Sequence, residues 1–277
     1  LVHIHFQTET EAFKLLEYVS VHPLGTELNP YIQFQPERGL VLHIKQKYMK
    51  KLLALLSDVF YRFLLEDKLL SVLESIVRQR FYFREQEEVD SIVEIACSII
   101  EGEQHEKSEP AFNKEREIIR EGLKTFLADK VSFSFDSFAT FRLKSFYDSL
   151  LEYVELAIDE YKLEQDYQSF IAALRDFLHE REPKMDNVHL LHSGGFHFYD
   201  GQFRKLGKQE IHKMIDRKLL ADNPVYVDST ALAPLLSIAP RNLHLYTDEA
   251  EDGLIQTITR IFEERTVIRP TAAFKGV

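Results

Sequence analysis

No glycine or proline interrupts the chain between Leu123 and Glu182. Either residue weakens or breaks a helix, glycine through backbone entropy and proline through its missing N–H. The stretch is free to be helical, and its apolar residues say which way such a helix faces. Phe141, Phe146, Leu150, Val154, Ala157 and Tyr161 recur at steps of three to five, which puts them on one stripe. Lys144, Asp148, Glu152, Glu155 and Asp159 fall mainly on the other side. Asp136 or Ser137 is placed to cap the first turn. The stripe then loses phase. The positions that would continue it are Glu164, Gln165 and Gln168, and a new stripe starts at Leu163 and Tyr167 and runs through Phe170, Ile171, Leu174, Phe177 and Leu178. This predicts a break or kink at residues 162–166 and two packed helices. One continuous helix facing two different partners fits the same residues. Burying each Phe or Leu contributes roughly 1.5–3 kcal/mol, so this segment is the expected centre of the core.

The flanks read as mixed structure. Val2, Ile4 and Phe6 alternate with His3 and His5 as in a half-buried strand. Thr8 with Glu11 is a capping-box pattern for a helix carrying Phe13, Leu16 and Val19. YIQFQ and GLVLHI are two strands joined by the turn Pro36-Glu37-Arg38-Gly39. Helices follow, one with Tyr48, Leu52, Leu56, Val59, Phe60 and Phe63 on one stripe, then others near residues 69–79, 87–100 and 113–128. The polar GEQHEKSEP at 102–110 is the expected linker, and VSFSF at 131–135 an extended approach to the central helices. Beyond Pro183, turn signals at Gly194-Gly195 and Asp200-Gly201 predict a three-stranded meander with His192 opposite His197 and Phe198 opposite Phe203. A helix at 208–220, strands at 224–228 and 242–247, a helix led by Asp252 or Asp248, and a last strand at TVIRP complete the chain, with one parallel pairing. The expected fold class is α+β and predominantly helical. Long central helices join a small N-terminal β-α-β-β unit to a C-terminal α+β part that contains the meander. The expected division is 1–101, linker 102–110, central helices 111–183 and C-terminal region 184–277.

Composition narrows the function. The 277 residues carry a formal charge of −11, which opposes a coat on nucleic acid but leaves room for a local basic site. The single Cys97, in the apolar run VEIACSII, reads as a buried small hydrophobe, and one cysteine rules out an internal disulfide framework. No apolar run is long enough for a membrane span and no secretory signal is visible. There is no P-loop, dinucleotide fingerprint, HExxH or Gly-x-Ser-x-Gly motif. No cofactor or metal is expected.

Three constellations stand out. Lys45, Lys47, Lys50 and Lys51, with Arg38 nearby, crowd the start of a helix, where cations oppose the dipole by roughly 0.3–1 kcal/mol each. Such a placement fits an anionic partner, or a solvated face balanced by the acid-rich stretch 85–109. His192, His197 and Arg204 would form one cross-strand row able to hold a phosphate or carboxylate, with His189 on the opposite face. The other reading is the polar outer side of a hairpin. Asp248, Glu249, Glu251 and Asp252 precede a helix, and capping accounts for them.

FSFDSFATFRLKSFYDSLLEYVELAIDEYKLEQDYQSFIAALRDF, residues 133–177, resembles the signature segment of the YtxC-like sporulation proteins of endospore-forming bacteria. PLLSIAPRNLHLY (234–246) and IFEERTVIRP (261–270) are similar to the family's C-terminal part. The resemblance implies a cytosolic bacterial protein linked to spore formation, and it implies no enzymatic activity, cofactor or catalytic residue. Within the matching segment, Arg142 and Lys144 lie off the apolar stripe, where they fit a partner contact or pairing with Asp148. The leading expectation is a non-enzymatic binder of a protein or nucleic-acid partner through a local basic surface. The alternatives are an enzyme or ligand-binding protein for a phosphorylated molecule at the His/Arg row, and a structural homodimer.

Overall fold

The structure is a computed structural model that describes residues 1–36, 39–106, 113–216 and 230–275. It is a predominantly helical α+β fold in two compact units, Leu1–Leu163 and Glu164–Val277.

The first unit opens with β1 (Val2–His5), α1 (Glu9–Val21), β2 (Ile32–Gln35) and β3 (Gly39–Leu42), the expected β-α-β-β unit. Thr8 caps α1 by accepting from the Glu11 N–H, while the Glu11 carboxylate accepts from the Gln7 N–H. The buried face of α1 is Ala12, Leu15, Tyr18 and Val19. Phe13 is half exposed and lies against Phe34 instead. Strands β2 and β3 pair antiparallel with Gln35 opposite Gly39. Gly39 has φ +75, and a Cβ there would meet the Ile4 carbonyl oxygen at 2.4 Å, so the turn needs glycine. Arg38 lies outside the described residues.

The helices α2 (Met49–Phe63), α3 (Leu69–Arg80), α4 (Gln86–Glu106) and α5 (Asn113–Ala128) follow. A π-helical turn at Leu64–Lys68 joins α2 to α3. Helix α4 continues through Gly102 to Glu106, so the first part of the expected linker is helical; residues 107–112 lie outside the described residues. The extended VSFSF supplies β4 (Phe133–Ser134), which pairs parallel with β1 and completes a sheet of order β2-β3-β1-β4. Phe60, Phe63, Phe133, Phe135 and Phe138 meet at the centre of this core with ring centroids 5.1–6.5 Å apart.

The central stretch corrects two expectations. It begins with α6 (Phe135–Arg142), capped by Ser134 rather than Asp136 or Ser137. The interruption falls at Leu143, not at 162–166. Leu143 leaves helical geometry with its side chain in the core, and this turns Phe141 out of the predicted stripe to 81% exposure. Helix α7 (Lys144–His179) then runs unbroken. The loss of phase marks a change of core. Phe146, Leu150, Val154, Ala157 and Ile158 belong to the first core, and Ile171, Leu174 and Leu178 to the second.

The second unit contains β5 (Asn187–His192), β6 (Phe196–Asp200), α8 (Lys208–Met214), α9 (Leu232–Ile238), β7 (Asn242–Tyr246), α10 (Gly253–Phe262) and β8 (Thr266–Arg269). The sheet order is β6-β5-β7-β8. Strand β5 pairs antiparallel with β6 and parallel with β7, and β7 pairs parallel with β8. Two parallel pairings replace the one expected. The meander has two full strands, and its third is a single bridge between Tyr199 and Lys205. Helix α8 ends at Met214, and the strand expected at 224–228 lies outside the described residues. Helix α9 carries no amphipathic signal because every residue in it is buried.

Because the two cores share no buried side chain, a cavity in one should loosen that one first. Leu150→Ala is expected to reduce hydrogen-exchange protection in β1–β3 and α2, and Leu174→Ala to reduce it in β5–β8, each at about 2–5 kcal/mol. Uniform loss of protection in both units from either substitution would contradict the separation.

Candidate functional site

The lysines at the start of α2 sit where a hairpin and a helix meet. The His43 N–H donates to the Tyr31 carbonyl at 2.8 Å, which holds Tyr31 beside the chain entering α2. The Tyr31 and Tyr48 rings lie 5.0 Å apart. Lys45 Nζ is 4.8 Å from the Tyr31 ring centre and Lys47 Nζ 5.3 Å from that of Tyr48, contacts worth about 0.5–1 kcal/mol when exposed. Lys51 pairs with Glu27 at 2.6 Å, and exposed Lys50 has no partner among the described residues. The first turn of α2 holds no acid and no side-chain cap. Tyr48 is half-buried against the first core, so it is a core residue that also carries Lys47 on its ring.

Arg142 and Lys144 are both exposed on either side of the Leu143 interruption. The Arg142 guanidinium lies 5.9 Å from the Phe126 ring centre. It is held by an aromatic face rather than by Asp148.

The proposed His192/His197/Arg204 row does not form. The loop between β5 and β6 has three residues, Ser193, Gly194 and Gly195, closed by the Ser193 N–H donating to the Gly195 carbonyl at 3.0 Å. His192 therefore pairs with Phe196, and Leu191 with His197. One residue of slip moves a strand's side chains to opposite faces. His192 stacks on Phe196 at 4.6 Å and its Nδ1 lies 3.1 Å from the Thr247 hydroxyl. Arg204 is bonded to Asp200 through its side chain and its N–H at 2.9 Å. Of the three, His197 lines a cavity. That cavity, of about 830 Å³, lies beside β6 and α8 and is also lined by Lys205, Lys208 and His212 over Phe196, Phe198 and Leu206.

His189 occupies the opposite face from His192, as the sequence predicts, and there it joins residues the sequence did not single out. It stacks between Phe203 at 4.0 Å and His244 at 4.7 Å, and its Nδ1 lies 3.1 Å from the Tyr246 hydroxyl. Phe274 packs on Phe203 and Tyr246. Phe203 holds φ +62, a left-handed conformation that costs a bulky residue about 1–3 kcal/mol. Its ring contact with His189 is the local return for that strain. Burial, together with the nearby Arg269 charge, holds both His189 and His244 below the usual histidine value.

The acids at 248–252 serve local structure. Asp248 accepts from the Thr271 N–H and hydroxyl, and Asp252 caps α10 by accepting from the Leu254 and Ile255 N–H groups. Among the described residues no group of three His, Cys, Asp or Glu side chains is arranged to hold a metal, and no helix is long and apolar enough to cross a membrane.

The chain belongs to the YtxC-like family, whose model matches residues 54–267. It is similar to an uncharacterized protein named YtxC from Bacillus subtilis (strain 168), with 39% identity over 220 residues, 79% of this chain and 78% of that protein. No solved structure matches.

The buried imidazoles set a pH dependence. Their folded pKa values lie below the unfolded value near 6.5, so the unfolded chain takes up protons first as the pH falls. Their stabilising contribution is complete above about 6.5 and is lost as the pH drops through the folded values. Urea midpoints are expected to fall between pH 7.5 and pH 5. A His189→Gln, His244→Gln double variant should show a flatter profile over that window.

Proposed function

We propose that this YtxC-like protein works as a non-catalytic binder, engaging an acidic segment of a protein partner at the lysine-lined start of α2. The observation that carries the reading is the placement of Lys45 and Lys47 on the faces of the Tyr31–Tyr48 pair, with Lys50 exposed beside them. The start of α2 is the positive end of its helix dipole, and no acid in the first turn offsets it. A carboxylate-bearing segment satisfies those cations and the dipole together, while its apolar atoms lie along the tyrosine pair. A long nucleic-acid backbone matches less well. Its binding grows with the number of cations engaged, and this surface is small on a chain of charge −11. The setting we infer is the cytoplasm of a spore-forming bacterium. That inference rests on the likeness of residues 133–177 to sporulation proteins and is independent of the surface.

The test is a charge reversal, Lys47→Glu with Lys50→Glu, in affinity capture from sporulating cells at graded salt. The parent chain is expected to retain a protein partner at low salt and release it as salt rises. The reversed chain should retain none while matching the parent's circular dichroism and melting temperature. Equal capture by both chains would remove the surface from consideration. Capture abolished by nuclease would replace the acidic protein segment with nucleic acid.

A further inference from the structure

We infer that the cavity beside β6 and α8 binds a small phosphomonoester whose organic body is apolar. Four lining side chains are cationic or can become so: His197 on β6, Lys205 in the segment that follows, and Lys208 and His212 on α8. None of the described lining residues is an acid, although Asp and Glu outnumber Lys and Arg in this chain by 45 to 34. Of the acids nearest in sequence, Asp200 is bonded to Arg204 and Asp216 pairs with Arg181, while the Glu210 carboxylate is held at the cavity's edge by the N–H of the lining residue Gly207 at 2.7 Å. Lys205 and Lys208 form no ion pair among the described residues. Uncompensated cations converging on a concave surface favour an anion there.

The wall behind the charges decides what else the ligand carries. Phe198 and Leu206 belong to the second core, so the charged rim sits on an apolar floor. A volume of about 830 Å³ is in the range of small-molecule sites. Inorganic phosphate alone would leave most of that floor facing water, whereas an apolar body attached to the phosphate covers it. The identity of the cations narrows the anion. Lysine and histidine act as separate point charges, which suits a tetrahedral dianion, while the planar bidentate grip on a carboxylate is an arginine property. Arg204, the arginine of this segment, is committed to Asp200.

The experiment titrates phenyl phosphate into the full chain, followed by calorimetry and by the imidazole proton resonances. Saturation at one site with shifts at His197 and His212 is expected. Phenol and inorganic phosphate should each bind at least tenfold more weakly. Lys205→Gln with Lys208→Gln should weaken phenyl phosphate at least tenfold; both side chains are exposed, and His212→Gln provides the same comparison should the double variant misfold. The Lys47→Glu, Lys50→Glu chain should bind phenyl phosphate like the parent, which keeps this site distinct from the surface on α2. Absence of saturation, equal affinity in the Lys205/Lys208 variant, equal affinity for inorganic phosphate, or loss of binding in the Lys47/Lys50 variant would each overturn the proposal.

Discussion

Helix α7 buries one stripe of side chains in each of two cores, and both units depend on it doing so. A straight helix keeps a single apolar face only while its spacing holds near 3.6 residues. Here the spacing fails around Glu164, Gln165 and Gln168, and the helix resumes with Tyr167, Phe170 and Ile171 on a different side. With neither glycine nor proline present, nothing in the backbone makes a break favourable. Each half instead finds its own apolar partners, the phenylalanine cluster in the first unit and the sheet with α9 and α10 in the second.

Electrostatics in this protein is a matter of local departures from an acidic whole. Several cations are neutralised close by, as with Lys51 and Glu27, Arg116 and Asp58, Arg181 and Asp216, or Arg204 and Asp200. Exposed pairs of this kind contribute about 0–1 kcal/mol, so their value lies in removing charge from the surface. Against that background two clusters of cations stand out among the described residues. One is the lysine cluster on tyrosine faces in the first unit, and the other is the rim of the cavity in the second. Each joins charge to apolar surface, the combination that recognises an anion attached to something greasy.

The legible part of the fold was the part written in periodicity. The stripe from Leu52 to Phe63, the Thr8–Glu11 cap, the opening strands and the Asp252 cap are local patterns whose physics stays within a few residues. Phe141 matches the stripe in spacing but not in burial, because the chain leaves the helix two residues later to bury Leu143. The all-buried α9 offered no contrast between faces. The histidine row failed on one residue of loop length: glycines at 194 and 195 mark a turn, but whether Ser193 joins it decides which face His192 occupies. The residues of the cavity rim come from a strand, a loop and a helix, with no shared spacing to announce them.

The sequence alone determined the balance of helix to strand, the composition of the cores, the four lysines around the start of α2 and the membership of the central segment in its family's pattern. These follow from residue type and short-range spacing, because helix and strand formation respond to neighbours a few positions away. Tertiary structure decided which lysines meet tyrosine faces, which histidines line the cavity, and which cations go unpaired. Those outcomes rest on strand register and on contacts between residues far apart in the chain, where a one-residue shift reverses a side chain's direction.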